Sequence, residues 1–274
     1  MGHDIWRESA TEVKDVILVT QNGASFFQFE NLKKFPEIRH GIFTRHFGHS
    51  PAPFQSLNVS LGLGDPADNV RKNRQLISRA IGGQDLVFAE QVHGDQAVIL
   101  NSKNSDSYGG IDRAIGIGDA LVTNVSNKFL TIQLADCQSI LLYDPIQHVV
   151  ANVHAGWRGS IKNILGRTVA VMKKYFKCTR ADIIAGIGPS LGPCCAEFVN
   201  YRKEIPQIFW HYKSSADHFD FWTISRDQLV DAGVLSENIE TGNICTKCNT
   251  ETFFSYRGEG QTGRFASVIG LNYF

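Results

Sequence analysis

The chain has 274 residues and 43% hydrophobic content, which describes a globular protein with a substantial core. Lys plus Arg equal Asp plus Glu at 27 each, so no global field draws the chain to nucleic acid or to an anionic membrane, and any anion must be caught by a local site. No apolar run reaches the length of a membrane span, and no secretory signal precedes the cysteines at 137, 178, 194, 195, 245 and 248, so a reducing cytoplasm is the expected compartment.

From the N-terminus, 16–21 and 24–29 flank Asn22-Gly23, the strongest short-range hairpin signal. Residues 38–44 read as a further strand, and 45–66 as a long loop rich in Gly, Pro, His, Asn and Ser. The spacing of Val70, Leu76, Ile77 and Ile81 predicts a helix over 67–81, with Asp68 as its N-cap. Strands follow at 86–92, ending at His93, and at 97–100, while 101–118 reads as a polar surface excursion.

The apolar run 129–143 reads as one buried strand, Asp144-Pro145-Ile146-Gln147 as a tight turn and 148–154 as the return strand. Ser160 then caps a helix whose Ile161, Ile164, Leu165, Val169, Met172 and Phe176 form one apolar stripe. Residues 183–187 suggest a strand, 206–212 and 225–232 helices, and 264–271 a last strand. The result is a mixture of α and β with no repeat and no linker, so 1–274 is expected to form one domain.

With Pro145 and Ile146 as the two loop residues, Cys137 faces His154 across the hairpin, and directly opposed Cβ atoms lie about 5 Å apart. A thiolate and an imidazole so placed can share one ion, and His93 offers a third donor. Cys and His are the donors zinc prefers, and three protein ligands leave a fourth position open, as in catalytic sites. Ordinary packing of each side chain remains the alternative. Cys245-Thr246-Lys247-Cys248 resembles half of a zinc ribbon, but no second C-x-x-C completes it, so it reads as structural.

Two stretches suit an anion. His154-Ala155-Gly156-Trp157-Arg158-Gly159-Ser160 runs from a candidate ligand into a helix N-terminus, where free amides, glycines and Arg158 converge, although local evidence alone favours an ordinary strand-to-helix turn. In 254–264, Arg257 and Arg264 with Ser255 bracket a glycine loop, and arginine forks suit phosphate oxygens. No Walker A sequence occurs, and Gly186-Ile187-Gly188-Pro189-Ser190-Leu191-Gly192 lacks dinucleotide-loop spacing.

Glu90-Gln91-Val92-His93-Gly94, Ala135-Asp136-Cys137, His154-Ala155-Gly156-Trp157-Arg158-Gly159, Ile187-Gly188-Pro189 with Gly192-Pro193-Cys194-Cys195, and Thr252-Phe253-Phe254-Ser255-Tyr256-Arg257 stand in an order that resembles the YfiH-type purine nucleoside phosphorylases. That family was formerly called polyphenol oxidase, laccase-domain or DUF152-like proteins, and the similarity runs over about 41–274. The resemblance implies zinc held by His93, Cys137 and His154, with copper as the alternative. It implies phosphorolysis of adenosine, inosine and methylthioadenosine to base and ribose 1-phosphate, with adenosine deamination as a further activity. Purine nucleosides and phosphate are then the partners, with no nucleic acid and no membrane.

The resemblance also implies an α+β fold, layered α/β/β/α with mixed sheets, similar to the catalytic domain of cytotoxic necrotizing factors. Arg45 matches the family's early-loop arginine. With Arg158 it is a candidate catalytic residue; Asp136, from its place beside Cys137, is the first acid/base candidate, with a structural carboxylate as the equal alternative. Phosphate is expected at Arg45, Gly156, Arg158, Ser255, Arg257 and Arg264. His46-Phe47-Gly48-His49 and Gly258-Glu259-Gly260-Gln261 depart from the family pattern, so the preferred nucleoside is left open. Three other readings stay in view: a cysteine hydrolase with Cys137 as nucleophile and His154 as base, a copper oxidase, and a zinc- or nucleoside-binding protein without activity. No two histidines here are spaced H-x-H, as multicopper oxidases require, and the zinc deaminase signature is also missing.

Overall fold

The computed structural model describes residues 16–82, 85–102, 112 and 114–272. Asn22 and Gly23 take φ of 48° and 83°, as a two-residue I′ turn demands, and β1 (Val16–Gln21) pairs with β2 (Ala24–Phe29) from Val16↔Phe29 to Gln21↔Ala24. There follow α1 (Glu30–Lys33), β3 (Ile38–Phe43), α2 (Ala67–Ile81), β4 (Asp85–Glu90), β5 (Ala97–Leu100), β6 (Ala114–Ile117), β7 (Ala120–Thr123), β8 (Lys128–Leu134), β9 (Gln138–Asp144) and β10 (Val149–Ala155). The C-terminal part holds α3 (Trp157–Ile161), α4 (Ile164–Phe176), β11 (Ile184–Ile187), α5 (Tyr201–Glu204), α6 (Phe221–Asp231), β12 (Ile239–Thr241), α7 (Tyr256–Glu259) and β13 (Phe265–Leu271).

Two mixed sheets result, one ordered β1-β2-β3-β13-β8-β4-β6 and the other β12-β11-β9-β10-β7-β5. Leu130, Ile132, Leu141, Tyr143, Val150, Phe265 and Ile269 fill the space between them. Leu165, Val169, Met172 and Leu229 of α4 and α6 cover the outer face of the second sheet, and Leu76, Ile77 and Ile81 of α2 cover that of the first. Each sheet therefore buries one face against its partner and the other against helices, the four-layer α+β arrangement expected from the resemblance. Asn152 crosses the interface between the sheets: from β10 its amide donates to Leu130 O at 3.0 Å and Ser267 O at 2.9 Å in the other sheet.

Several sequence expectations need correction. The run 129–143 is not one strand; it divides between β8 in one sheet and β9 in the other, and residues 135–137 make the crossing with Asp136 at φ 87°. The hairpin register also differs. Asp144 Oδ1 accepts from the amides of Ile146 and Gln147, both at 2.9 Å, so the loop is 145–148 and His154 pairs with Ser139 instead of Cys137.

Asp68 lies in the first turn of α2, paired with Arg71 at 2.9 Å, while Pro66 holds the N-cap position. Ser160 lies inside α3. The long helix α4 is capped by Asn163, which sits in the left-handed region and accepts from Gly166 N. The strand predicted over 86–92 stops at Glu90. Within 101–118 the chain forms β6, and 103–111 and 113 lie outside the described residues.

Candidate metal centre

His154 Nδ1 lies 2.8 Å from Asp119 Oδ1, and both side chains are buried. Asp119 stands between β6 and β7, and its carboxylate also accepts the amides of Val92, His93 and Gly94 at 3.2, 2.9 and 2.6 Å. These bonds hold the turn after β4 in which His93 takes φ 56°. One carboxylate thus sets the positions of both histidines. Burial pushes Asp119 up, but the bonds from His154 and the amides outweigh it and hold the carboxyl below its ordinary value.

Cys137 arrives from the crossing between the sheets. Gln91, two residues before His93, fastens that region by exchanging two bonds with Gln133, at 3.0 and 2.8 Å. Cys137 Sγ lies 3.8 Å from His93 Nε2, the two imidazole centroids are 4.9 Å apart, and the donor atoms of His93, Cys137 and His154 all lie within 4.8 Å of one another.

The predicted register was out by two residues, an even number, so the face was preserved. Continuing the observed register, Cys137 comes opposite Gly156. A Cβ on Gly156 would stand 3.2 Å from Cys137 Sγ and 2.8 Å from His93 Cδ2, so the missing side chain makes room for the three donors. His154 is buried, Cys137 half-buried and His93 exposed, which opens the group to solvent on the His93 side.

Burial works against a thiolate at Cys137, yet the charges and hydrogen bonds of His154 and His93 overcome it and bring the thiol down to about 6. Burial likewise opposes protonation of His154, but Cys137 and Asp119 hold it up to about 9. The two shifts are one fact, a thiolate and an imidazolium stabilising each other. A cation in their midst would take over the imidazolium's part.

The remaining candidates fall into two groups. Asp136 accepts from Thr246 Oγ1 at 2.7 Å, Ser255 Oγ at 2.6 Å and Arg257 N at 2.6 Å, so its carboxylate anchors the C-terminal loops beside Cys137. Arg264 is partly buried and gives Nη1 to Thr262 O and Gly263 O, both at 2.9 Å; burial lowers its pKa, and the negative charge of Cys137 and Asp136 offsets part of that. These two lie with the metal-ligand group.

Others are spent elsewhere. Arg45 gives Nε to Gln55 O and Nη1 to Thr250 O and Glu259 Oε1, and its guanidinium covers the Phe254 ring at 4.4 Å. Ser255 is buried and caps α7 through Gly258 N. Arg257 turns to the carbonyls of Cys195 and Glu197, and Arg158 is exposed and stacks on Trp157 at 4.2 Å. Sequence reasoning passed over Asp119. The one signal was a carboxylate set directly before the apolar run Ala120-Leu121-Val122.

Comparison with known proteins gives these features a context. The family described as Multi-copper polyphenol oxidoreductase laccase matches residues 39–272. A purine nucleoside phosphorylase of Bacteroides thetaiotaomicron is 31% identical over 258 residues, which are 89% of this chain and 95% of that protein. The purine nucleoside phosphorylase YfiH of Escherichia coli is 33% identical, over 83% of this chain and 91% of that one. Among solved structures, YlmD from Geobacillus stearothermophilus superposes with a TM-score of 0.83 at 29% identity, covering 94% of this chain and all of that one.

Proposed function

We propose, because the chain belongs to the Multi-copper polyphenol oxidoreductase laccase family, that it is a zinc-dependent purine nucleoside phosphorylase. Adenosine, inosine and methylthioadenosine are the proposed substrates, and adenosine deamination is a secondary activity. The observation that carries this reading is the convergence of His93, Cys137 and His154 around one point, braced by Asp119. We further propose that all 274 residues form one domain of the cytotoxic necrotizing factor type, working in the cytoplasm. No helix of the described residues is long and apolar enough to cross a membrane.

The donor set fits zinc. The 3.8 Å between Cys137 Sγ and His93 Nε2 is close to the roughly 3.6 Å edge of a tetrahedron with ordinary Zn–S and Zn–N bonds. Copper suits it less: among the described residues no second histidine cluster accompanies the trio, and the thioether of Met172, the one methionine among them, packs in the core under α4. Bound there, zinc supplies positive charge and a template for the reacting phosphate.

The chain's own groups do the rest. Asp119 accepts the Nδ1 proton of His154, so Nε2 keeps its lone pair toward the metal position. Cys137 contributes a thiolate at neutral pH. Arg264, whose charge interacts with those of Cys137 and Asp136, holds the phosphate anion with the donors that its Nη1 bonds to Thr262 O and Gly263 O leave. Asp136 keeps the Ser255 to Arg257 wall against the Cys137 loop, so its part is positioning. Arg45 acts in the same sense, as a strut between the early loop and Glu259.

One arrangement favours a rival. Cys137, His154 and Asp119 also have the order of a nucleophile, base and orienting acid, the machinery of a cysteine hydrolase. His93 on the same sulfur has no role in that scheme. Metal-quantified protein incubated with adenosine or inosine, with and without phosphate, separates the readings. Phosphate-dependent release of free base, lost in Cys137→Ala, is the expected result. Unchanged nucleosides from a zinc-loaded protein, or hydrolysis with no need of phosphate, would reject the phosphorylase.

A further inference from the structure

Cys194 and Cys195 lie about fifty residues before Cys245 and Cys248 in the chain, and the topology brings them together. β11 and β12 are parallel neighbours, so both leave the sheet at the same end. The pairing continues beyond them as a parallel bridge between Ser190 and Cys245, with Ser190 N on Ile244 O at 3.1 Å and Thr246 N on Ser190 O at 3.0 Å. The Cys194-Cys195 turn and the Cys245-x-x-Cys248 turn therefore face each other. The partner of the C-x-x-C is an adjacent pair instead of a second C-x-x-C.

All four sulfurs lie within 4.8 Å of one another. Cys194 Sγ is 3.7 Å and Cys195 Sγ 3.5 Å from Cys248 Sγ. A tetrahedral zinc with four thiolates at the ordinary bond length spaces its sulfurs about 3.8 Å apart. An iron–sulfur cluster would spread the thiolates around several metal ions, wider than this group allows. The Gly192 amide donates to Cys245 Sγ at 3.3 Å, the kind of support a metal-bound thiolate receives from the backbone around it.

We infer that Cys194, Cys195, Cys245 and Cys248 form a second, structural metal site that takes one zinc ion through four thiolates. Four protein donors close the coordination sphere, so this site has no position for substrate. Its place in the fold gives it a purpose. Thr246, inside the C-x-x-C turn, donates to Asp136 Oδ1 at 2.7 Å, and Leu191 N donates to Asp136 O at 2.8 Å. The ion would clip together the two turns that hold the residue next to Cys137. The inference stands independently of the proposed catalytic activity.

The test uses full-length protein purified under a phosphine reductant, equilibrated with zinc alone and freed of excess by gel filtration. Elemental analysis is expected to find about two zinc ions per chain, and about one in either Cys137→Ala or the double variant Cys194→Ser/Cys248→Ser. Should the double variant fail to fold, cobalt(II) decides: Cys137→Ala loaded with cobalt must show the intense thiolate-to-cobalt absorption of a tetrathiolate centre. Cobalt-loaded Cys137→Ala without that absorption overturns the site. So does wild type with a single zinc that vanishes in Cys137→Ala. Iron with visible colour in the reduced protein overturns the assignment to zinc, and a disulfide among the four that persists under the reductant overturns metal binding.

Discussion

Asp119 and His154 form a buried pair, carboxylate to imidazole at 2.8 Å, and the same carboxylate holds three successive amides of the turn that carries His93. Two candidate ligands far apart in sequence thus share one support. Asp119→Asn keeps the shape but removes the charge that fixes the His154 tautomer. Loss of such an outer partner costs roughly 10- to 100-fold in metal affinity. Zinc affinity measured by competition with a chromophoric chelator should fall by that factor while the melting profile stays cooperative. An unchanged affinity would make Asp119 a support for the turn alone.

Gly156 tests the space between the donors. Its φ of −73° is open to any residue, so Gly156→Ala carries no backbone strain, and whatever it does is steric. The added methyl would meet His93 Cδ2 at 2.8 Å and Cys137 Sγ at 3.2 Å. The expected outcome is at least a tenfold loss of zinc affinity with the fold retained by circular dichroism. Full zinc binding in a folded variant would show that the trio has another arrangement open to it.

The elements came out of the sequence where local chemistry decides them. Asn22-Gly23 forces a hairpin whatever surrounds it, and the spacing of Val70, Leu76, Ile77 and Ile81 yields α2 with the same limits. The change of sheet at Asp136 was hidden. Strands buried on both faces read as a continuous apolar run, and no glycine or proline marks the point where one sheet hands the chain to the other. Cys137 and His154 still meet because a slip of two residues keeps the face, Cys137 falling next to Gly156 at the start of the hairpin, while His93 joins them from the turn after β4. Asp119 and the four-cysteine group depend on neighbours brought together by β7 with β10 and by β11 with β12, pairings that no local signal announces.

Asn152 is the polar link between the sheets. Its amide serves Leu130 O and Ser267 O, and its own oxygen lies 3.4 Å from the hydroxyls of Ser139 and Ser267, which also bond each other. Asn152→Leu would remove the side-chain bonds to the Leu130 and Ser267 carbonyls and leave the buried Ser139 and Ser267 hydroxyls without the Asn152 oxygen, each lost bond costing about 0.5–1.5 kcal/mol. Urea unfolding should show a loss of roughly 2–4 kcal/mol with an unchanged slope. A loss within 0.5 kcal/mol, the ordinary range for an exposed substitution, would mean that water or a shifted neighbour satisfies those carbonyls.

His40 on β3 makes stability depend on pH. Burial brings its imidazole down to about 3, and Phe29 N donates to Nε2 at 2.9 Å, a bond that only the unprotonated nitrogen accepts. The unfolded chain binds this proton below about pH 6.5, whereas the folded chain resists until about 3. The folded value is the depressed one, so the contribution is complete above pH 6.5 and is lost as pH falls toward 3, at about 1.4 kcal/mol per unit in that window. His40→Gln retains an acceptor but has nothing to titrate. Urea midpoints of both proteins at pH 7, 6 and 5 should therefore converge as the pH drops, wild type losing stability faster, and parallel curves would mean that His40 takes its proton in the folded state.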